Sequence, residues 1–143
     1  MIEVLIAIFL TTTGILALLA LQGPGWKNMA KSDYAGRAAG ILYKTMETRE
    51  SLILNPCNSI TTGSSGNITV YPSGQSSAIN GDVAYTVTRN TVTDASNTNV
   101  YVVTVTVTWP INSTGITESM VVGRQEYFRY PSTCADNSVT IAP

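Results

Sequence analysis

The order of apolar and polar positions along the chain predicts successive elements of different kinds, beginning with an apolar run. From Met1 to Leu21, this run is interrupted only by Glu3, three threonines and Gly14. As a helix at about 1.5 Å per residue, such a segment rises about 30 Å and matches the hydrocarbon core of a bilayer. We therefore expect a helix that can span a membrane.

A secretory signal peptide differs from this run, because it has a positive first segment, a shorter apolar core and a small-residue cleavage site. No lysine or arginine precedes the run here, whereas Lys27 and Lys31 follow it. Under the positive-inside rule, we expect a basic N-terminal piece to precede the present sequence.

The segment Gly23-Pro24-Gly25 interrupts the helical pattern. Proline removes a backbone hydrogen bond and clashes with the preceding turn, and glycine weakens a helix further. We expect one helix from about Ile2 to Gln22, a kink or an unwound stretch at 23–25, and a second helix to Leu54. A simple proline kink is the alternative to unwinding. Gly14 is a second weak point in the first helix.

The second helix is predicted to be amphipathic and to end at Asn55-Pro56. Its inward face should comprise Tyr34, Ala38, Ile41, Leu42, Thr45, Met46, Leu52 and Ile53. The charged residues are assigned to the rest of its surface: Arg37, Lys44, Glu47, Arg49 and Glu50. One face of this helix should therefore cover a small domain.

Loops and strands follow the second helix. Residues 58–81 are rich in Ser, Gly, Thr and Asn, and predict a loop with a short strand at Ile68 to Tyr71. Alternation predicts a strand around 83–88 and, most clearly, one from Tyr101 to Trp109, with a turn at 94–99 between them. The valine face of the clearest strand should cover the second helix.

A further strand is predicted from about Thr117 to Phe128, with an irregularity at Val121-Val122-Gly123. The tail from Tyr130 to Pro143 is expected to be mostly irregular. The predicted fold class is α+β: a long N-terminal helix with a kink or unwound stretch, packed against an antiparallel sheet of three or four strands.

Composition narrows the chemistry. The chain has 143 residues, of which 12% are charged, against about 25% in typical proteins, and its net charge is −1. It contains no histidine, the commonest general base and transition-metal ligand. No set of nucleophile, base and orienting group, no calcium-loop spacing and no phosphate-loop order of glycines is visible. We expect neither an enzyme nor a cofactor or metal, and nothing in the charge favours nucleic acid.

The two cysteines, Cys57 and Cys134, are too few for a four-ligand zinc site. In a Thr- and Ser-rich chain with an apolar N-terminus, they favour one disulfide in an oxidising compartment. Such a bond would clamp the tail to the end of the helix. The alternative is a pair of free buried thiols.

Glu3 is a carboxylate in an otherwise apolar segment, which has two interpretations. Its side chain can extend to the lipid headgroups without any further role. It can also pair with a positive group inside an apolar assembly, since ionisable groups in membrane segments are usually paired or functional. The physical argument alone leaves both open.

The stretch Ile2-Glu3-Val4-Leu5-Ile6-Ala7 resembles the start of type IV pilins and pseudopilins after cleavage of their leader. The resemblance implies the type IV pilin fold, whose apolar helix anchors the subunit in the inner membrane and then packs in the core of a helical filament. It also implies that Glu3 corresponds to the family glutamate, which is thought to pair with the N-terminal amine of a neighbouring subunit.

The family glutamate is normally the fifth residue after the leader, and here it is the third. We therefore expect the sequence to begin at an internal methionine, which leaves the identity of the true N-terminal amine open. The residues expected to matter for assembly are Met1, Glu3, Gly14 and Pro24.

Further segments are most like those of PilV-type minor pilins: Gly14 to Gln22, Ser32-Asp33-Tyr34, Arg37-Ala38-Ala39, the helix ending in Asn55-Pro56-Cys57, and Val105 to Trp109. The resemblance implies a filament-core or transmembrane helix at 1–25 and a periplasmic or extracellular head at 26–143. The expected function is that of a structural subunit of a type IV pilus-like filament, as a minor pilin.

Its expected partners are copies of itself or other pilins, the inner membrane before assembly, and the pilus or secretion machinery. One alternative is a minor pseudopilin of a type II secretion system. Another is a membrane-anchored periplasmic binding domain that does not assemble, although this leaves Glu3, Gly14 and Pro24 without an explanation.

Overall fold

The computed structural model describes residues 2–124 and 140–141. Its elements are helix α1 (Ile2–Leu54) and strands β1 (Ser59–Ile60), β2 (Gly63–Val70), β3 (Tyr85–Thr93), β4 (Val100–Trp109), β5 (Asn112–Gly123) and β6 (Thr140–Ile141). Strands β2, β3, β4 and β5 form an antiparallel sheet in that order, and β1 pairs with β6 in parallel. The prediction of an α+β fold, with a long N-terminal helix packed against a small antiparallel sheet, is confirmed.

Helix α1 is a single helix that continues through Gly23-Pro24-Gly25. The prediction of an unwound stretch at 23–25 is therefore wrong for this structure. Because Pro24 has no amide hydrogen, the carbonyl of Ala20 lacks its usual donor there. The predicted alternative, a kink at the proline, stays a prediction.

The chain divides into two compact units, Met1–Gly36 and Arg37–Pro143. The second unit contains the last part of α1 together with the strands. The predicted division into 1–25 and 26–143 distinguishes residues in the membrane or filament core from residues in water. The division into compact units rests on contacts within the chain, so it does not test that prediction.

The core of the second unit lies between α1 and the inward face of the sheet. Along β4, burial alternates strictly, and the inward positions include Val103, Val105 and Val107, all fully buried. The helix contributes Ala38, Leu42 and Ile53. Tyr85 and Trp109 close the core as a tilted aromatic pair with ring centroids 6.2 Å apart. The predicted valine face of β4 is confirmed.

Three predicted strands differ in their bounds from the observed ones. Strand β3 runs from Tyr85 to Thr93, where a strand around 83–88 was expected. Strand β2 already begins at Gly63, where a loop was expected, and its register against β3 shifts between Ser64 and Asn67. Strand β5 begins at Asn112 and pairs regularly through 121–123, where an irregularity was expected. The predicted end at Phe128 and most of the predicted irregular tail lie outside the described residues.

The irregularity of the β4–β5 hairpin lies next to its turn. Register shifts between Val107 and Trp109, and the Asn112 Oδ1 atom accepts hydrogen bonds from the amides of Thr114 and Gly115 at 3.1 and 3.0 Å. Gly115 has a φ of 69°, and a Cβ there would lie 2.2 Å from the Val107 carbonyl oxygen. Only glycine fits this position without strain.

The helix face against the sheet contains one unexpected residue. Arg49 was assigned to the polar surface of the helix, but its side chain is only 2% exposed. That prediction is wrong because Arg49 shares the inward face with Leu42 and Ile53, at i−7 and i+4.

Candidate assembly helix

The first unit presents an apolar surface that no described residue covers. Every residue from Ile2 to Asp33 is exposed, including the large apolar side chains of the run before Gln22. By length and composition, α1 contains a segment able to cross a membrane. An apolar surface of this extent marks contact with lipid or with other protein.

The threonines in the run bond back to their own helix. The hydroxyls of Thr11, Thr12 and Thr13 donate to the carbonyls of Ala7, Ile8 and Phe9 at 2.7, 2.8 and 3.0 Å. Each hydroxyl is thus satisfied locally, as an apolar environment requires. These threonines interrupt the hydropathy pattern of the sequence without adding an unpaired polar group to the helix.

Glu3 lies in the first turn of α1 and is exposed. A carboxylate in a first turn interacts favourably with the helix dipole. Within the described part of the chain, no residue forms a hydrogen bond or an ion pair with it. Glu3 therefore differs from the threonines, because none of the described residues compensates its charge. Met1, the other terminal residue predicted to matter for assembly, lies outside the described residues.

Gly14 and Pro24 both lie inside the continuous helix, where neither residue type is favourable. A Cβ added at Gly14 would meet no atom within 4 Å, so packing within the chain does not require a glycine. The same holds for Gly23 and Gly25 on either side of the proline. Packing among the described residues therefore does not explain why these positions are glycine.

The end of α1 is fixed by local hydrogen bonds. Asn58 Nδ2 donates to the Leu52 carbonyl at 2.9 Å, and the Cys57 amide donates to Asn55 Oδ1 at 3.0 Å. Arg124, after β5, donates to the Pro56 carbonyl. Cys57 is disulfide-bonded, as predicted. Cys134, the second cysteine of the sequence, lies outside the described residues.

The predicted assembly residues are thus distributed along the first unit and do not form one cluster. Glu3, Gly14 and Pro24 belong to successive parts of one exposed helix. Comparisons with protein-family models, with curated proteins and with solved structures gave no significant match.

The sequence interpretation missed a second candidate site, a group of basic residues beside Arg49 in the second unit. The sequence did contain a sign of it: Arg49 shares the apolar face of the helix with Leu42, seven residues before it, and Ile53, four residues after it. A charged residue at such a position was read as part of the polar surface.

Proposed function

We propose that this chain is a structural subunit of a type IV pilus-like filament, of the minor-pilin kind, and that it is not an enzyme. The carrying observation is the uncovered apolar surface of α1 from Ile2 to Leu21. In this proposal the helix resides in the inner membrane as a single span. On assembly it leaves the lipid and packs against helices of other subunits in an extracellular filament.

The internal bonding of Thr11, Thr12 and Thr13 supports a helix that moves between two apolar environments. Their hydroxyls need no water and no partner from another chain. Gly14 supports close approach of a neighbouring helix, because it leaves open space on the helix surface.

Glu3 is proposed to set the axial position of the subunit. Its carboxylate would pair with a positive group of the neighbouring subunit, and a buried pair of this kind can specify register even where it adds little stability. The resemblance of residues 2–7 to pilin N-termini supports an amine as that positive group.

The proposal is tested by the amount of this chain in filaments sheared from the cells, measured by quantitative mass spectrometry. We expect a minor component beside a more abundant pilin. Glu3→Ala and Glu3→Gln should both reduce incorporation, because both remove the charge, while the second unit stays folded. Glu47→Gln, which removes an exposed carboxylate from the second unit, is the matched control.

Normal filament content of the Glu3 variants would exclude the register role. Retention of the wild-type chain in the membrane fraction would exclude filament assembly and favour a secretion pseudopilin or a simple anchor. Dominance of this chain in the filament would keep the filament role and exclude the minor-pilin assignment.

A further inference from the structure

The second unit contains a buried cation for which the described residues offer no compensating charge. The Arg49 side chain is 2% exposed, and its one hydrogen bond to a described residue runs from Nη2 to the Thr91 hydroxyl at 3.3 Å. Its Nε atom is buried and has no partner among the described residues. Leaving a guanidinium buried without a carboxylate is unfavourable, since the lost hydration is not replaced.

Arg49 lies in the wall of a partly open cleft of about 510 Å³ between α1, β3 and the segment after β2. A cleft of this volume is in the usual range for small-molecule sites, about 300–1,000 Å³. The cleft is also lined by Arg37, Lys44 and Arg89. None of its described lining residues is an aspartate or a glutamate.

Arg89 adds a second positive charge near Arg49. Its own Nε atom is buried without a partner, and no described residue pairs with its guanidinium. Burial lowers the pKa of Arg49, and the positive charge of Arg89 lowers it further. Two guanidinium groups that repel each other are thus held at one cleft by the helix and by the sheet.

The other walls of the cleft restrict what can bind. Thr45 and Thr48 donate their hydroxyl hydrogens to the carbonyls of Ile41 and Lys44 at 2.7 Å each, so these hydrogens are already committed. The donors that remain open to an anion include those of Arg49, Arg89 and Lys44 and the hydroxyl of Tyr71. Leu52, Val70 and Pro72 add apolar surface beside them.

We propose that this cleft binds a small organic oxyanion, a carboxylate or a phosphate monoester with an apolar body. Arg49 and Arg89 hold the anionic group, since guanidinium groups present paired donors that match carboxylate and phosphate oxygens. The apolar walls cover the body of the ligand, as in most small-molecule sites. The site lies within the second unit, so this proposal does not rest on the proposed filament function.

The test is isothermal titration of the full chain in the uncharged detergent dodecyl maltoside, in Tris chloride buffer. The probes are phenyl phosphate, benzoate and inorganic phosphate. The two aromatic probes share a ring, so their comparison distinguishes a phosphate from a carboxylate ligand. Inorganic phosphate has no apolar body and should bind at least about tenfold more weakly than phenyl phosphate.

We expect saturable one-to-one binding of at least one aromatic probe. Arg49→Met and Arg89→Met should each weaken it by about tenfold or more, through loss of charge-assisted hydrogen bonds. Arg89→Lys, which keeps the charge without the paired donors, should weaken it less than Arg89→Met. Lys27→Met, which removes one charge from the first unit, should leave binding unchanged. Thermal unfolding of each variant shows that it is folded.

Three results would overturn the proposal. The first is the lack of saturable binding of both aromatic probes. The second is equal binding by folded Arg49→Met and wild-type chains. The third is binding that appears only after Glu126→Gln and Asp136→Asn, since the compensating charge would then belong to the C-terminal part of this chain.

Discussion

Arg49 of the helix and Thr91 of β3 are joined inside the core by a hydrogen bond of 3.3 Å, with Thr91 fully buried. This bond connects residues 42 positions apart and is the only described polar contact of the Arg49 side chain. The Thr91 hydroxyl accepts a hydrogen bond from the charged Arg49 guanidinium. The described residues offer this guanidinium no carboxylate. Removing the Thr91 hydroxyl alone should therefore weaken the contact between the helix and the sheet.

Replacing Thr91 by valine should lower the free energy of unfolding by about 1–3 kcal/mol, because Arg49 loses its acceptor inside the core. Urea unfolding of the full chain in dodecyl maltoside, followed by near-ultraviolet circular dichroism, measures the change. In an Arg49→Met background the same substitution should have a much smaller effect. Thr86→Val, on the opposite face of β3, should change stability by less than about 0.5 kcal/mol. Equal losses in both backgrounds would contradict the role of the hydrogen bond.

Gly115→Ala should lower the free energy of unfolding by roughly 2–4 kcal/mol, because left-handed strain and a steric clash act together. Gly66→Ala is the matched control, since Gly66 has the same φ of 69° but no atom within 4 Å of an added Cβ. Only strain acts there, and the loss should be about 1 kcal/mol. Similar unfolding midpoints in urea for the two variants would show that the clash at Val107 is relieved at little cost.

Reduction of the disulfide at Cys57 should lower the free energy of unfolding by about 2–5 kcal/mol. The loss arises because the reduced unfolded chain regains conformational freedom. Thermal unfolding with and without dithiothreitol measures it, and Cys57→Ser should show the same loss without reductant. Peptide mapping under non-reducing conditions should recover Cys57 linked to Cys134. Separate free peptides would contradict this pairing.

Pro24→Ala should stabilise α1 by up to about 3 kcal/mol, because the amide of residue 24 can then donate to the Ala20 carbonyl. Amide exchange at residues 20–28 should become slower. If assembly requires a weak helix here, filament content should fall although the helix is more stable. Gly36→Ala also removes a helix-weakening residue with open space around it, but outside this segment, and should leave filament content unchanged. Unchanged assembly of Pro24→Ala would show that a weak helix at this point is not needed.

The elements that could be predicted from the sequence are those in which side-chain burial follows a regular period. Strand β4 alternates from Val100 to Trp109, so its buried face was evident before its partners were known. Strand β2 has no such period, because it is an edge strand rich in glycine and serine whose pairing with β3 depends on backbone hydrogen bonds. The two-residue pair of β1 and β6 is too short to carry a pattern.

The candidate sites, too, could be predicted only where the local sequence pattern indicates them. Glu3 was recognisable because a charge in an apolar run is conspicuous, whereas the described residues include no partner that the sequence could have indicated. Arg49 was misassigned because charged residues are normally exposed, and its burial depends on the approach of β3. Unwinding at Pro24 was wrongly predicted because propensity alone overestimates the disruption by a single proline.

In the proposed function, the self-satisfied threonines of α1 affect the free energy of transfer between membrane and filament. Lipid and a helix-packed protein core are solvents of nearly equal apolarity, so exchange between them changes the solvation free energy of the paired hydroxyls very little. Within Ile2 to Leu21, the charged group is the Glu3 carboxylate. Its solvation free energy would differ strongly between lipid and the filament core. In the proposed function, the equilibrium between stored and assembled subunits therefore depends chiefly on helix contacts and on the neutralisation of one charge. A single residue near the start of the chain can then set how completely the subunit leaves the membrane.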